Sequence, residues 1–229
     1  MDNRWVELQD KHKGETGLVI GNGPSLKEIT NEELQRFPSF GTNKIFLKEG
    51  FTPTYYVCTN PYMIPECVRG MIGKTDCIKF IREGCEKELP GSIPLHLVDE
   101  SYFSSVPHRF VYEGYTITYV CLQLAYFMGF QNILLYGIDH RYDIKEEPNS
   151  TFIASGLDHN HFHDGYFAPG WIYQAPDLEN SRKHYLVARR AFEYKRRNIY
   201  NMTKDSALDV FERLSKDDPK YQELTECRT

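Results

Sequence analysis

The sequence lacks long apolar runs. No stretch of its 229 residues approaches the ~20 consecutive apolar residues that a membrane-spanning helix requires. The first residues, Met1 to Glu7, also have no apolar core of the kind found in secretory signal peptides. From these absences we expect no transmembrane segment and a cytoplasmic protein.

The sequence also lacks an excess of basic residues and a closely spaced pair of cysteines. The formal net charge of −5 argues against a surface that binds a polyanion, so we expect no nucleic-acid partner. There is no Cys-x-x-Cys pair, and several cysteines lie in apolar runs, where a thiol behaves as a small core residue. We therefore expect reduced, structural cysteines at six positions: Cys58, Cys67, Cys77, Cys85, Cys121 and Cys227.

The glycine-rich stretch near the start of the chain lacks parts of two known fingerprints. Leu18 to Ile20 are apolar, Gly21-Asn22-Gly23 follow, and Pro24 and Ser25 favour a helix start. The third glycine of the dinucleotide fingerprint and the Gly-Lys-Ser/Thr of a P-loop are both absent. Glycines allow close approach of a ligand, and a helix N-terminus favours an anion. The pattern predicts strand, tight turn and helix with a bound phosphate, or equally an ordinary strand-to-helix turn.

The remaining pattern predicts a single α/β domain over residues 1–229. With 41% hydrophobic residues the chain can bury one core. We expect an N-terminal arm (1–16), a lid-like insertion (140–180) and a frayed tail (216–229). Predicted strands are 18–20, 39–43, 54–58, 77–81, 94–98, 132–139 and 199–202. Predicted helices are 32–37 with Asn31 as cap, one from Thr116 or Thr118 to Gly129, and 181–197.

Polar residues recur where predicted strands end. Asn22 and Asn60 come shortly after such a strand, and Asn43 and Asp139 are the last residues of one. Ligands bind outside the carboxyl ends of parallel strands, and amides both donate and accept hydrogen bonds. The spacing predicts a shared ligand edge, although a single asparagine in a turn more often bonds its own backbone.

The insertion is rich in histidine and aromatic residues, which argues against simple disorder. In an extended segment, His159, His161 and His163 would share one face. Together with Asp158 or Asp164 they could hold a divalent metal, but His-x-His spacing is a weak signal. A metal site is therefore the minor alternative.

Four segments in one order resemble bacterial sialyltransferases of the Campylobacter lipooligosaccharide type. They are IGNGPSLKEI (20–29), GTNK (41–44), CTNP (58–61) and GFQNILLYGID (129–139). They are also similar to a broader group of surface-polysaccharide proteins with the archaeal 6-hydroxymethylpterin diphosphokinase-like domain. The resemblance covers about the first two thirds of the chain. It implies a Rossmann-like, mostly parallel sheet with helices on both faces, a CMP-sugar donor, inversion at the anomeric carbon and no required cofactor.

Carried over residue by residue, the resemblance assigns roles. Asn22, Asn43 and Asn60 are implied as donor-nucleotide contacts, and Ser25 faces the phosphate. The tyrosine pair of the sialyltransferases is replaced by Arg141-Tyr142 and later Tyr166. The base histidine of these enzymes has no clean counterpart here. Histidine is the usual side chain that takes a hydroxyl proton near neutral pH, and from their place in the insertion we predict His163 first, then His161, as the catalytic base, with Tyr142 and Tyr166 as further catalytic residues. The full predicted substrate-binding set is Gly21, Asn22, Gly23, Pro24, Ser25, Asn43, Asn60, Thr118 and Asp139.

The leading hypothesis is a glycosyltransferase that moves a sialic-acid-like sugar from a CMP donor to a hydroxyl of a glycan acceptor in surface glycan synthesis. One alternative is a Mg²⁺-dependent pyrophosphokinase, in which Asp139 with Asp143 or Asp164 binds the metal. Another is a non-catalytic module that binds sugar nucleotides. The sequence leaves the oligomeric state open, a homo-oligomer included.

Overall fold

The computed structural model describes residues 3–226, and its main feature is one large sheet. Eight of the twelve strands in these residues form it, in the order β12-β11-β8-β1-β2-β3-β4-β5, and all of its pairs are parallel. The expected α/β fold with a mostly parallel sheet is confirmed. The strands are β1 (Thr16–Ile20), β2 (Ser39–Thr42), β3 (Tyr55–Cys58), β4 (Ile78–Arg82), β5 (Ile93–Leu95), β6 (Leu97–Val98), β7 (Val111–Tyr112), β8 (Asn132–Tyr136), β9 (Thr151–Ile153), β10 (Ile172–Gln174), β11 (Asn198–Asn201) and β12 (Glu212–Arg213).

Helices cover both faces of this sheet. The apolar core on one face joins Val19 of β1 to helices α1, α4 and α5, and the core on the other joins Leu18 and Ile20 to α2, α3 and α6. No helix within residues 3–226 is both long and apolar enough to cross a membrane. The helices are α1 (Asn3–Leu8), α2 (Asn31–Gln35), α3 (Ile64–Met71), α4 (Ile117–Phe127), α5 (Leu178–Tyr194) and α6 (Pro219–Glu226), with 3₁₀ turns at Pro24–Glu28 and Asn43–Leu47.

The region after β1 differs from the prediction. Only one 3₁₀ turn follows Pro24, and the next helix is capped by Thr30 rather than Asn31. Thr30 forms a capping box with Glu33, which requires an extended backbone just before the helix. The helix predicted to start at Pro24 is therefore only a 3₁₀ turn of five residues.

Three later elements also differ in their bounds. The predicted strand 94–98 divides, because the chain leaves the main sheet after β5 and β6 pairs with β7. Helix α5 begins earlier than predicted because Asp177 caps it by accepting from Asn180 N (2.9 Å). Where a frayed tail is predicted, α6 packs Tyr221 into the core.

The cysteines of the described residues are free thiols. Four of the five, Cys58, Cys67, Cys77 and Cys121, are buried. Burial raises the pKa of the Cys77 thiol to about 12, which makes the thiolate scarce. The prediction for Cys227 lies outside the described residues.

Candidate functional site

The sheet has a crevice between β1 and β8, where the strand order reverses. From β1 the chain adds β2 to β5 on one side and then crosses to β8, β11 and β12 on the other. The loops after the two strands bond each other: Gly21 N donates to Tyr136 O (2.8 Å), and Gly23 N donates to Gly137 O (3.0 Å). Ligands of open parallel sheets bind at such a point. The fold therefore favours a ligand here.

The contact between these loops explains the two glycines. A Cβ on Gly21 would collide with the Ile138 side chain and the Gly137 carbonyl. A Cβ on Gly23 would collide with the Asp139 carboxylate and the same carbonyl. Glycine is thus required by packing between the loops, whether or not a ligand is bound.

The predicted phosphate position at Ser25 is filled by a side chain of the protein. The Asp139 carboxylate accepts from Ser25 N (3.2 Å) and from Ser25 Oγ (2.7 Å). A carboxylate at these donors replaces the anion that the sequence pattern predicts there, and the 3₁₀ turn is too short to have a substantial dipole. The turn holds β1 and β8 together instead.

A cleft of about 120 Å³ opens at the crevice. Its walls come from the ends of β1, β2 and β8, the first residues of α4 and α5, and the insertion. Predicted site residues outside its lining are Pro24, Ser25, Asn60 and His163. Predicted site residues in its lining are Gly21, Asn22, Gly23, Asn43, Thr118, Asp139, Tyr142, His161 and Tyr166.

Two asparagines of the cleft have a buried oxygen with no hydrogen-bond partner among residues 3–226. Asn22, 8% exposed, donates through Nδ2 to Thr42 O (3.1 Å), which leaves its Oδ1 unpaired. Asn43 Oδ1 is unpaired too. An unmade buried hydrogen bond costs ~1–3 kcal/mol, so a ligand with N–H or O–H donors would stabilise this arrangement. Asn60 differs, since its Oδ1 accepts from Tyr62 N (3.0 Å) in a local turn.

The N-terminus of α4 faces the same cleft. Thr116, Ile117 and Thr118 line it, and Thr116 makes no side-chain cap to the helix. The first N–H groups of an 11-residue helix and its positive dipole end therefore point to the space that the two asparagines border. An anion can bind here rather than at Ser25.

Backbone strain collects around the cleft. Among residues 3–226, seven residues other than glycine have positive φ, and three of them line it: Asn43 (47°), Tyr115 (59°) and His140 (51°). Such conformations cost ~1–3 kcal/mol each and cluster at functional sites. The strain is a further mark of a binding site.

An imidazole–carboxylate pair lies in the cleft wall. His161 Nδ1 bonds Asp158 Oδ2 at 2.8 Å, and the two side chains are 11% and 5% exposed. The His161 ring stacks on Tyr166, with centroids 3.9 Å apart and planes 2° from parallel. Burial alone would raise the Asp158 pKa, but hydrogen bonds from His161 and Asn160 hold it below its usual value. The carboxylate stays charged and orients the ring.

His163, the first-ranked base in the sequence, is placed differently. It is exposed, and its Nδ1 accepts from Gly165 N (3.1 Å). His159 is exposed as well, so the three histidines do not share a face in the folded insertion. His161 is the one that lines the cleft.

Four tyrosines surround the same space: Tyr115, Tyr142, Tyr166 and Tyr185. Burial raises the pKa of the last three, so these phenols stay protonated and can donate hydrogen bonds. Sequence reasoning missed Tyr185, because it lies in a helix marked only by its basic residues. The signal available was its place on the apolar side of that helix.

Two of the three carboxylates proposed for Mg²⁺ bond other side chains of the protein. Asp139 is bonded to Ser25, while Asp164 pairs with Lys27 at the surface (2.9 Å). Asp143 is exposed. In the described part of the chain, no group of three or more His, Cys, Asp or Glu side chains could hold a metal ion.

Comparison with known proteins gives one match. No curated protein and no solved structure matches the chain. The profile of one family, described as 6-hydroxymethylpterin diphosphokinase MptE-like, matches residues 2–145, which is more than half of the chain and spans β1 to β8 with both crevice loops. This protein therefore belongs to the MptE-like family.

Proposed function

We propose that this protein is an inverting glycosyltransferase that moves a sialic-acid-like sugar from a CMP donor to a hydroxyl of a glycan acceptor, with His161 as the general base. The Asp158–His161 pair in the cleft carries the proposal. Because Nδ1 bonds the carboxylate, Nε2 is the nitrogen that can take a proton. An imidazole that a carboxylate orients in this way suits the activation of a hydroxyl acceptor.

The proposed step is a single displacement. The acceptor oxygen forms a bond to the anomeric carbon as its proton passes to His161 Nε2. The bond from that carbon to the phosphate oxygen breaks, and its electron pair leaves with CMP. Attack from the face opposite the phosphate inverts the configuration, and the step uses no oxidant or reductant.

The start of α4 and the phenols would stabilise the leaving group. Charge develops on the phosphate oxygen as its bond to the sugar breaks, and fixed donors that meet this charge lower the barrier. The helix N-terminus at Ile117 and Thr118 and the protonated phenol of Tyr142 are such donors in the cleft. We assign the phosphate to this side.

The unpaired asparagine oxygens would contact the nucleoside. Oδ1 of Asn22 and of Asn43 can only accept, and the amino group of cytosine and the ribose hydroxyls are donors. Pairing them would relieve the cost of two buried acceptors.

A second candidate function is transfer of a diphosphate group from ATP to a hydroxymethyl group. The name of the family to which the chain belongs favours this function. His161 could serve as base in that reaction too, but the reaction relies on Mg²⁺ held between phosphates and carboxylates. Of the carboxylates that could hold this metal, Asp139 is bonded to Ser25 and Asp164 is paired with Lys27, which favours the sugar transferase.

Thermal-shift measurements with CMP, CDP, GDP and ATP, each with and without Mg²⁺, separate these functions. A ligand at ~100 times its Kd stabilises the fold by ~2.7 kcal/mol, which raises Tm by roughly 5–10 °C for a chain of this size. The proposal predicts such a shift with CMP in the absence of Mg²⁺. A shift with ATP that requires Mg²⁺, and none with CMP, would identify the second candidate and refute the first.

A further inference from the structure

Lys44 is a buried cation beside the cleft that the proposed reaction does not use. It is 3% exposed, and no carboxylate pairs with it among residues 3–226. Its Nζ lies 3.9 Å from the centroid of the Trp171 ring, at cation–π distance. A buried ammonium group without a paired carboxylate is costly, so stability alone does not explain why a lysine lies at this position.

The hydrogen bonds of Lys44 lead to the insertion. Nζ donates to Tyr166 O (2.6 Å), and the Lys44 backbone N–H donates to the Tyr166 hydroxyl (3.5 Å). Lys44 therefore holds both the backbone and the ring of Tyr166. That ring stacks face to face on His161.

We infer that Lys44 is a positioning residue, which fixes the His161 imidazole for proton transfer by holding Tyr166 against it. The contacts form one continuous series. They start at Lys44, in the 3₁₀ turn that follows β2, and pass through Tyr166 to the Asp158–His161 pair. The kinetic part of this inference rests on the proposed function, but the geometric part does not.

The test replaces Lys44 by methionine, which keeps the length and apolar stem of the side chain and removes the charge. Lys48→Met is the matched control. Lys48 ends the same 3₁₀ turn, is half-buried, and donates to Leu26 O (3.2 Å) away from the insertion. The first readout is the NMR signal of the His161 ring proton Hε1, assigned with His161→Gln. Stacking on Tyr166 shifts this signal by ring current.

Lys44→Met is expected to move the Hε1 signal toward its unstacked position, and Lys48→Met is expected to leave it unchanged. With CMP-N-acetylneuraminic acid as donor, kcat of Lys44→Met should fall about 10²-fold, the scale for a reacting group misplaced by ~1 Å, while KM for the donor stays constant. A purely structural lysine would lower Tm and leave kcat unchanged. An unchanged His161 signal in Lys44→Met overturns the inference.

Trp171→Leu is a second route if Lys44→Met does not fold. It removes the ring beneath the ammonium group and keeps the lysine. The same displacement of the His161 signal is expected, and an unchanged signal again contradicts the inference. If the wild-type protein has no transferase activity, the proposed function fails while the NMR comparison still decides the role of Lys44.

Discussion

At the residue scale, the buried oxygen of Asn43 gives the most specific test of ligand contact. Asn43→Gly removes the amide and keeps a residue that tolerates φ of 47°. Loss of a buried hydrogen bond should weaken CMP binding by ~1–3 kcal/mol. Asn60→Ala is the control, because Asn60 bonds its own turn. Calorimetric titration with CMP measures both variants. Equal affinity for CMP would show that Asn43 does not contact the nucleotide.

The glycines of the crevice loops make a prediction about stability. Gly23→Ala should destabilise the protein by ~1–3 kcal/mol, the usual cost of overpacking, because its Cβ meets Asp139 and Gly137. Gly73→Ala is the matched control, since no atom lies within 4 Å of a Cβ there. Urea unfolding measures both. Equal midpoints for Gly23→Ala and the wild type would show that the loops are not in contact.

Asp158 makes a prediction about pH. Its pKa is lowered in the folded state, so its charge adds stability above about pH 4, and this stability is lost as the pH falls through the folded-state pKa. The difference in free energy of unfolding between the wild type and Asp158→Asn should therefore shrink as the pH falls below about 4. A difference that grows below this pH would show that the folded protein does not favour the Asp158 carboxylate.

At the element scale, the start of α5 joins the insertion to the cleft. The Asp177 carboxylate accepts from Asn180 N (2.9 Å) and from Asn149 Nδ2 (2.8 Å) of the insertion. Asp177→Ala should cost ~1 kcal/mol as a lost cap and also weaken CMP binding, because the first turn of α5 lines the cleft. Thr30→Ala removes a cap from α2, which does not line the cleft, and should cost stability without affecting CMP binding. Equal CMP affinity in both variants would show that the start of α5 does not contribute to CMP binding.

The strands could be predicted from the sequence because their pattern is local. The contacts in the crevice could not, because they join residues that are far apart in the chain. Apolar runs such as 132–136 mark buried parallel strands by local pattern alone. The short turn after Pro24 depends on Asp139, which is 114 residues away in the chain from Ser25. His161 and His163 have the same local sequence signals, and only the fold decides which one contacts Asp158. The same holds for Tyr185 and for the unpaired oxygen of Asn22.

At the scale of the whole molecule, the insertion is packed closely over the crevice. Phe162 N donates to Asn22 O (2.9 Å), and the cleft of about 120 Å³ is smaller than the ~300–1,000 Å³ usual for ligand pockets. Binding of the proposed sugar nucleotide in this cleft would require the insertion to move outward. CMP should change hydrogen–deuterium exchange within residues 140–177 and leave β3 and β4 unaffected. An unchanged insertion at saturating CMP would contradict this motion.

In the proposed reaction, His161 takes the proton of the acceptor hydroxyl. The most direct measurement is CMP release from CMP-N-acetylneuraminic acid, with a panel of oligosaccharide acceptors, by the wild type, His161→Gln and His163→Gln. His161→Gln should lose ~10²–10⁴-fold in turnover while it binds CMP with wild-type affinity, because a base acts in the transition state. His163→Gln, exposed and outside the cleft lining, should keep its turnover. Near-normal turnover of His161→Gln would show that His161 is not the base.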